Sequence, residues 1–556
     1  MRCKRSKNRC SYEVRLQWED DMRTAGKCHG RAGVGLKKDS PPGTQSEEDE
    51  NDRSPLTRTR HNDHHNDGES ALILTPPSSH SPPWVVTASS TPSSIATEHS
   101  YQNRYNQWKE SKALSPRTTF QVLPWSIGVP DADDVCLSFY NSVMCSVAVT
   151  VDDEHNNPLR GTVMRMVFQS ELAYYAVLMA SAQYLRSFES RFNVMEMQVR
   201  QRVLGGLRRA LTRESWDWED VLVPTIFLCS SAISHSCDAT WVRHFACFQL
   251  VIKQMVRGQR KAPVPHLFIS YFSAHLVLAK SLFPIDKALP VVSVPSVSVP
   301  STSSLPTSVE EASWTSTVAL SKAMRPEKLH QIDMWNGLSN NMLLLINDIL
   351  SLKHDVSELH QQQTSSEETR TAIEEKITAL QKRLDATTQL LPESVRGVHE
   401  SAEFAHRCRL LEYTGEAYRL AGCLLLSEAS TPAFLGYTAE SGKGLDSTQK
   451  QRHVDLMLSL IEAIVSSLGY LPISWPLWPL FIASCCGASE SEKARALALF
   501  HAAREKAPYE NTARAQTVVE LLWQRRELNT EGGRMRIGQF EWEPVLEFLG
   551  WQTSFA

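Results

Sequence analysis

Leu172-Ala-Tyr-Tyr-Ala-Val-Leu-Met-Ala-Ser-Ala182 sits in an Ala- and Tyr-rich run, free of Gly and Pro, that is entered after Asn157-Pro158. Val167, Leu172, Val177, Leu178 and Leu185 recur along it with a helical rather than an alternating period. Just downstream, Leu204, Leu207 and Leu211 keep helical spacing while Arg208, Arg209 and Arg213 fall on the outward side. The same period continues through most of the chain. Helices are expected from Asp131 onward, over Val221–Ser234, Trp241–Val256, His266–Leu282, Met342–Leu352, Ala402–Leu426, Val454–Leu468, Glu490–Ala507, Thr512–Leu528 and Pro544–Leu549. No convincing period-two alternation occurs outside linkers, so the expected fold class is all-α.

Interruptions in this pattern mark the organisation. The uncharged run Ala463–Ser489 has the length to span a bilayer, but Gly469, Pro472, Pro476 and Pro479 break it, which favours a buried helix–turn–helix. Leu471–Pro479, with Trp475 and Trp478, reads as a rigid turn. Leu289–Ser308 repeats Val, Pro and Ser and is expected to be an exposed, disordered loop. Ile373, Ile377, Leu380 and Leu384 form a short stripe on a charged helix. It is a candidate for pairing two copies of the chain, although packing on its own domain suits two heptads better.

Ahead of the helices the composition changes twice. Residues 1–38 hold 11 Lys/Arg against 4 Asp/Glu, a local +7; residues 39–70 hold 3 against 9, a local −6, so the net charge of −4 hides a basic head beside an acidic tract. Residues 39–125 are rich in Ser, Thr, Pro, His, Asp and Asn without sustained apolar period, and are expected to form a disordered linker. The twelve cysteines are irregularly spaced, and no apolar stretch near the N-terminus reads as a secretory signal; a reducing compartment without disulfides is expected. The head opens on Cys3-Lys-Arg-Ser-Lys-Asn-Arg-Cys10. Two thiolates enclosing Lys4, Arg5, Lys7 and Arg9 suit two corners of a metal site set against a phosphate backbone, but structural zinc needs four ligands.

Cys3-x6-Cys10 resembles the fifth and sixth cysteines of the fungal binuclear zinc cluster, the Zn2Cys6 DNA-binding module. Tyr12-Glu-Val-Arg-Leu-Gln-Trp18 and His29-Gly-Arg-Ala-Gly33 are similar to the post-cluster segment in one branch of that family. The fungus-specific regulatory domain of that branch is resembled by Asn157-Pro-Leu-Arg160, Leu172–Ala182, Trp241-Val-Arg-His-Phe245, His266-Leu-Phe-Ile-Ser-Tyr-Phe272, Ala417-Tyr-Arg-Leu-Ala421, Trp478-Pro-Leu-Phe-Ile-Ala483 and Trp542–Trp551. The resemblance implies three parts: a cluster remnant over residues 1–38, a linker over 39–125, and a helical regulatory domain over 126–556.

A complete cluster would hold two zinc ions structurally, with Cys3 and Cys10 among six thiolates. Lys4, Arg5, Lys7 and Arg9 would contact phosphates. Because the other cysteines and the base-reading stretch are missing, Met1 is expected to be an internal methionine, with the family's fourth cysteine falling just ahead of it. As given, the chain should not bind zinc, and should bind DNA weakly and without preference.

The function implied is nuclear regulation of RNA polymerase II transcription. DNA and the transcription machinery or coregulators would be its partners, a homodimer one arrangement, and no membrane is involved. The competing functions are a helical interaction or corepressor module that has lost DNA binding, and an enzyme or carrier on an unfamiliar α-fold. The sequence nominates no catalytic residues: it holds no Gly-rich phosphate loop, His-Glu-x-x-His helix or Gly-x-Ser-x-Gly elbow. Cys485-Cys486 reads as core rather than a redox pair. Asp217, Glu219 and Asp220 read as a solvated helix start rather than an acid/base site.

Overall fold

A run that is apolar on every side must be covered on every side, and this places the centre of the fold. In the computed structural model α4 (Glu171–Leu185) buries thirteen of its fifteen residues, α8 (His266–Lys280) thirteen of fifteen, and α16 (Leu477–Cys486) all ten. These three are central, and amphipathic helices surround them. The structure describes residues 104–110, 130–153, 157–213, 217–256, 264–289, 317–361, 367–396, 401–437, 445–507, 509–528 and 536–556, all within the unit Thr91–Ala556. Among them the fold is all-α: no strand forms, only two isolated bridges, Gln331 with Leu390 and Ile332 with Ser339.

Two groups of helices pack on each other. The first comprises α1 (104–110), α2 (130–147), α3 (159–167), α4, α5 (Arg191–Leu211), α6 (Glu219–Ser234), α7 (Thr240–Val256), α8 and the short α9 (Ile285–Ala288). The second comprises α10 (Thr317–Ala323), α11 (Asn340–Gln361), α12 (Glu367–Ala386), α13 (Ala402–Ala429), α14 (Pro432–Leu435), α15 (Ser447–Ser467), α16, α17 (Glu490–Lys506), α18 (Glu510–Glu527) and α19 (Glu543–Leu549). Side-chain oxygens set several starts. Ser170 accepts from Ala173 N, and Asp446 and Ser489 close capping boxes with Gln449 and Glu492.

Indoles tie the two groups together. Trp478 Nε1 donates to Ser281 Oγ at 2.9 Å, Trp542 Nε1 to the Ser281 carbonyl at 2.7 Å, and Trp241 Nε1 to the Gln552 carbonyl at 2.8 Å. Trp542 also stacks on Phe540 at 4.9 Å, and Tyr418 on Trp478 at 5.9 Å. Each buried N–H is therefore satisfied inside a large apolar contact. Two glycines permit close approach. A Cβ on Gly422 of α13 would lie 2.6 Å from Met342 Cε, and Gly337, at φ +75°, has Thr414 Cγ2 and the Ser474 carbonyl at 2.6 and 2.9 Å from where a Cβ would sit.

Three expectations are modified. The linker expected over 39–125 is interrupted at 104–110, where α1 buries Tyr105 and Trp108. Tyr105 stacks on Phe188 at 4.7 Å and donates to Glu189, while Trp108 meets Phe139 edge-on at 5.3 Å. Polar composition had masked this aromatic pair at helical spacing. The rigid turn ends at Pro476 rather than Pro479, because proline fits the first helical turn, whose N–H groups have no intrahelical acceptor. The Ile373–Leu384 stripe is buried on α12 against α11 and α13 and is not available to pair two copies. The rest of the linker and residues 290–308 of the Val/Pro/Ser loop lie outside the described residues.

Candidate functional site

Where the two helical groups meet, the packing opens into a cavity of about 860 Å³, mouth included and partly open to solvent. Its wall draws on α2 (Tyr140, Met144), α4 (Ala180, Gln183, Tyr184), α6 (Phe227, Ser230, Ser234) and α8 (Tyr271, His275). Trp335, Trp475, Tyr509 and Asn511 close it from the second group.

Local backbone shapes the wall. The middle of α2, Tyr140–Met144, winds as a π-helix, and so does the start of α3, Leu159–Val163; Tyr140, Met144 and Leu159 all line the cavity. A wider turn re-aims side chains, which is why such turns gather at functional sites. Asn157 and Arg160 hold them in place. Asn157 Nδ2 donates to the Cys145 carbonyl at 2.7 Å, and its Oδ1 accepts from Leu159 N at 3.0 Å. Arg160 donates to both Asp152 carboxylate oxygens at 3.0 and 3.2 Å and to the Asn141 carbonyl, inside the π-helical turn, at 3.2 and 3.3 Å. The Asn157-Pro-Leu-Arg160 motif is thus a clamp on two π-helical turns.

No side chain lining the cavity is an Asp, Glu, Lys or Arg. The imidazoles are neutral: burial pushes His275 down to about 3 and His235 to about 4, the latter helped by the charges of Arg186 and Arg200. His275 Nδ1 pairs with Ser554 Oγ at 2.9 Å, and His235 Nδ1 with Ser234 Oγ at 2.9 Å. Burial likewise holds the Tyr184 hydroxyl up at about 12 and Tyr271 well above its ordinary value. Ser230 Oγ pairs with Tyr271 Oη at 3.0 Å.

Two oxygens are left over. The Tyr140 hydroxyl finds no hydrogen bond of ordinary geometry beside the weakly bonding Cys145 thiol. Asn511 donates through Nδ2 to the Ser554 carbonyl at 3.4 Å, while its Oδ1 has no partner. Chemically the wall offers ring faces and a few neutral hydrogen-bonding groups.

The sequence-nominated residues Cys3, Cys10, Lys4, Arg5, Lys7 and Arg9 lie outside the described residues, as do Cys28, His29, His61, His64 and His65. Cys485 and Cys486 are buried on α16, where burial first of all holds both thiols well above their ordinary range. Glu219 and Asp220 occupy the first turn of α6, and Asp220 accepts from Ser170 Oγ at 2.6 Å. Among the described residues no group of three or more His, Cys, Asp or Glu is placed to hold a metal, and no helix is long and apolar enough to cross a membrane. The cavity was not nominated by sequence. Its only linear trace is Ser230, Ser231 and Ser234 inside the otherwise apolar Val221–Ser234.

The family description "Fungal specific transcription factor domain" matches residues 135–556. No curated protein and no solved structure matches the chain.

Proposed function

The chain belongs to the fungal specific transcription factor domain family, so its role is in regulating transcription; from that premise we propose a Zn2Cys6-type regulator of RNA polymerase II transcription acting in the nucleus. The helical body is its regulatory part. The observation that carries this reading is the family match over residues 135–556, in a chain that also contains Cys3-Lys-Arg-Ser-Lys-Asn-Arg-Cys10.

Cys3 and Cys10 alone do not fit a zinc ion, which needs four ligands in a structural site. No metal-dependent step is therefore assigned to the chain as given. The Lys4, Arg5, Lys7 and Arg9 side chains would bind phosphates, so affinity would fall with salt and ignore base sequence. Sequence-selective binding needs further cysteines to complete the cluster. We assign no catalysis.

Two measurements test this. The full chain fused to a heterologous DNA-binding domain should change transcription of a reporter bearing that domain's site; an unchanged reporter rejects the regulatory role. In a mobility-shift titration, residues 1–556 should retard any duplex weakly and lose it with added salt. Retardation selective for one sequence overturns the account of the basic stretch.

A further inference from the structure

The composition of the cavity wall selects a class of ligand. An anionic group taken into it would find no cationic side chain in the wall, because no lining side chain is charged and both lining imidazoles pair with serines. Burial of an unpaired charge is strongly unfavourable. Tyr140, Tyr184, Phe227, Tyr271, Trp335 and Trp475 supply ring faces and edges suited to a planar apolar body. The space, about 860 Å³ with the open solvent at its mouth counted, sets an upper limit on the size of the ligand.

The unpartnered oxygens add direction. More than about nine in ten buried polar groups in native proteins have a partner. Here two side chains of one wall each keep an oxygen short of an ordinary partner, Tyr140 at 1% exposure with only the Cys145 thiol beside it and Asn511 at 6%. Asn511 Oδ1 can only accept, so it calls for an N–H or O–H; the Tyr140 hydroxyl can give or take. Tyr140 stands on the π-helical turn that Arg160 clamps, so the backbone distortion and the unused hydroxyl coincide.

We infer that the cavity binds an uncharged, ring-bearing small molecule whose N–H or O–H is accepted by Asn511 Oδ1, with the Tyr140 hydroxyl as second polar partner. Its occupancy is the signal to which the helical body responds, a consequence that rests on the regulatory function proposed above. The binding itself does not.

The test uses two probes of one shape, neutral naphthalene-2-carboxamide and anionic 2-naphthoate, titrated into the purified full chain by calorimetry and ligand-observed NMR. The carboxamide should bind saturably with one site, and the naphthoate at least about tenfold more weakly. Ala180→Phe, which fills the cavity from α4, should abolish carboxamide binding while helical content is kept. Should that variant not fold, Ser234→Leu at the half-buried rim serves the same purpose. Absence of saturable carboxamide binding, equal affinity for naphthoate, or binding undiminished in the folded filled variant would each overturn the inference. Binding with a silent reporter fusion would remove the regulatory role and leave the site; an active fusion without binding would do the reverse.

Discussion

The boundary between the two helical groups is built in two opposite ways. Around Ser281 it is dry and closed: one serine takes the indole N–H of Trp478 on its hydroxyl and that of Trp542 on its carbonyl, and passes its own O–H to the Leu278 carbonyl at 2.6 Å. Around Tyr140 the same boundary stays open: its rings meet edge-on, Tyr140 with Phe227 and Tyr271 with Trp335, both at 5.8 Å, around a space they do not fill, and two oxygens lack an ordinary partner. The first arrangement is what a fold needs in order to hold; the second is what remains when packing is not the purpose. The contrast teaches that polar groups here are either fully used or conspicuously unused.

The largest effect that could break this contrast is truncation on the closed side. Trp542→Ala removes an indole that is 1% exposed and stacked on Phe540, and should cost about 3–5 kcal/mol, read as a lowered unfolding midpoint or the loss of a cooperative transition. A loss under about 1 kcal/mol would mean that the boundary is not held there.

Acid probes the open side. His275 titrates near 6.5 when unfolded and is pushed down to about 3 by burial in the fold. Because the folded value is depressed, the unfolded chain takes up the proton first. Stability is complete above about pH 6.5 and is lost progressively as pH falls toward 3. His235, lowered to about 4, and His244, lowered to about 4 chiefly by burial, add in the same direction. Lowering pH from 7 to 5 should cost roughly 2 kcal/mol through His275 alone. His275→Gln should flatten that slope in urea midpoints measured across the range, and an unchanged slope would show that His275 is not the titrating group.

A smaller loss is expected from Ser281→Ala, which leaves the Trp478 N–H without its acceptor in a dry place. The expected cost is about 1–3 kcal/mol, and much of it should vanish when Trp478→Phe is added, since the orphaned donor is then gone. Additive single-mutant losses would break the account of Ser281 as a shared node.

How much of this was legible in the sequence depends on the range of each signal. Leu172–Ala182 and Ala463–Ser489 announced buried helices because a long run without charge is a local property of the chain. The Ile373–Leu384 stripe gave its period, while its covering helices α11 and α13 come from elsewhere in sequence. Asn157-Pro-Leu-Arg160 was visible as a motif, but not its clamping of two π-helical turns, because the Asn141 and Cys145 carbonyls carry no side-chain signature. The cavity was illegible for a similar reason. Tyr140, His275 and Asn511 lie more than a hundred residues apart, and each alone looks like an ordinary core residue. The helix at 104–110 was obscured by averaging: one Tyr and one Trp at helical spacing are lost in a polar window, yet they suffice to dock a short helix.

The smallest effect is the most discriminating. Tyr140→Phe deletes a buried hydroxyl, which in a fully satisfied core costs about 1 kcal/mol or more. Here the hydroxyl has only the weakly bonding Cys145 thiol to lose, and its removal also lifts the penalty of keeping a poorly bonded polar group away from water. The unfolding midpoint should therefore stay within about 0.5 kcal/mol of the parent or rise, while Ser281→Ala, removing one oxygen of the same kind, lowers it. If the two substitutions cost the same, the Tyr140 hydroxyl is bonded after all, and the open side of the boundary is packed like the closed one. If Tyr140→Phe is neutral for folding yet weakens naphthalene-2-carboxamide, the hydroxyl is held in reserve for a ligand.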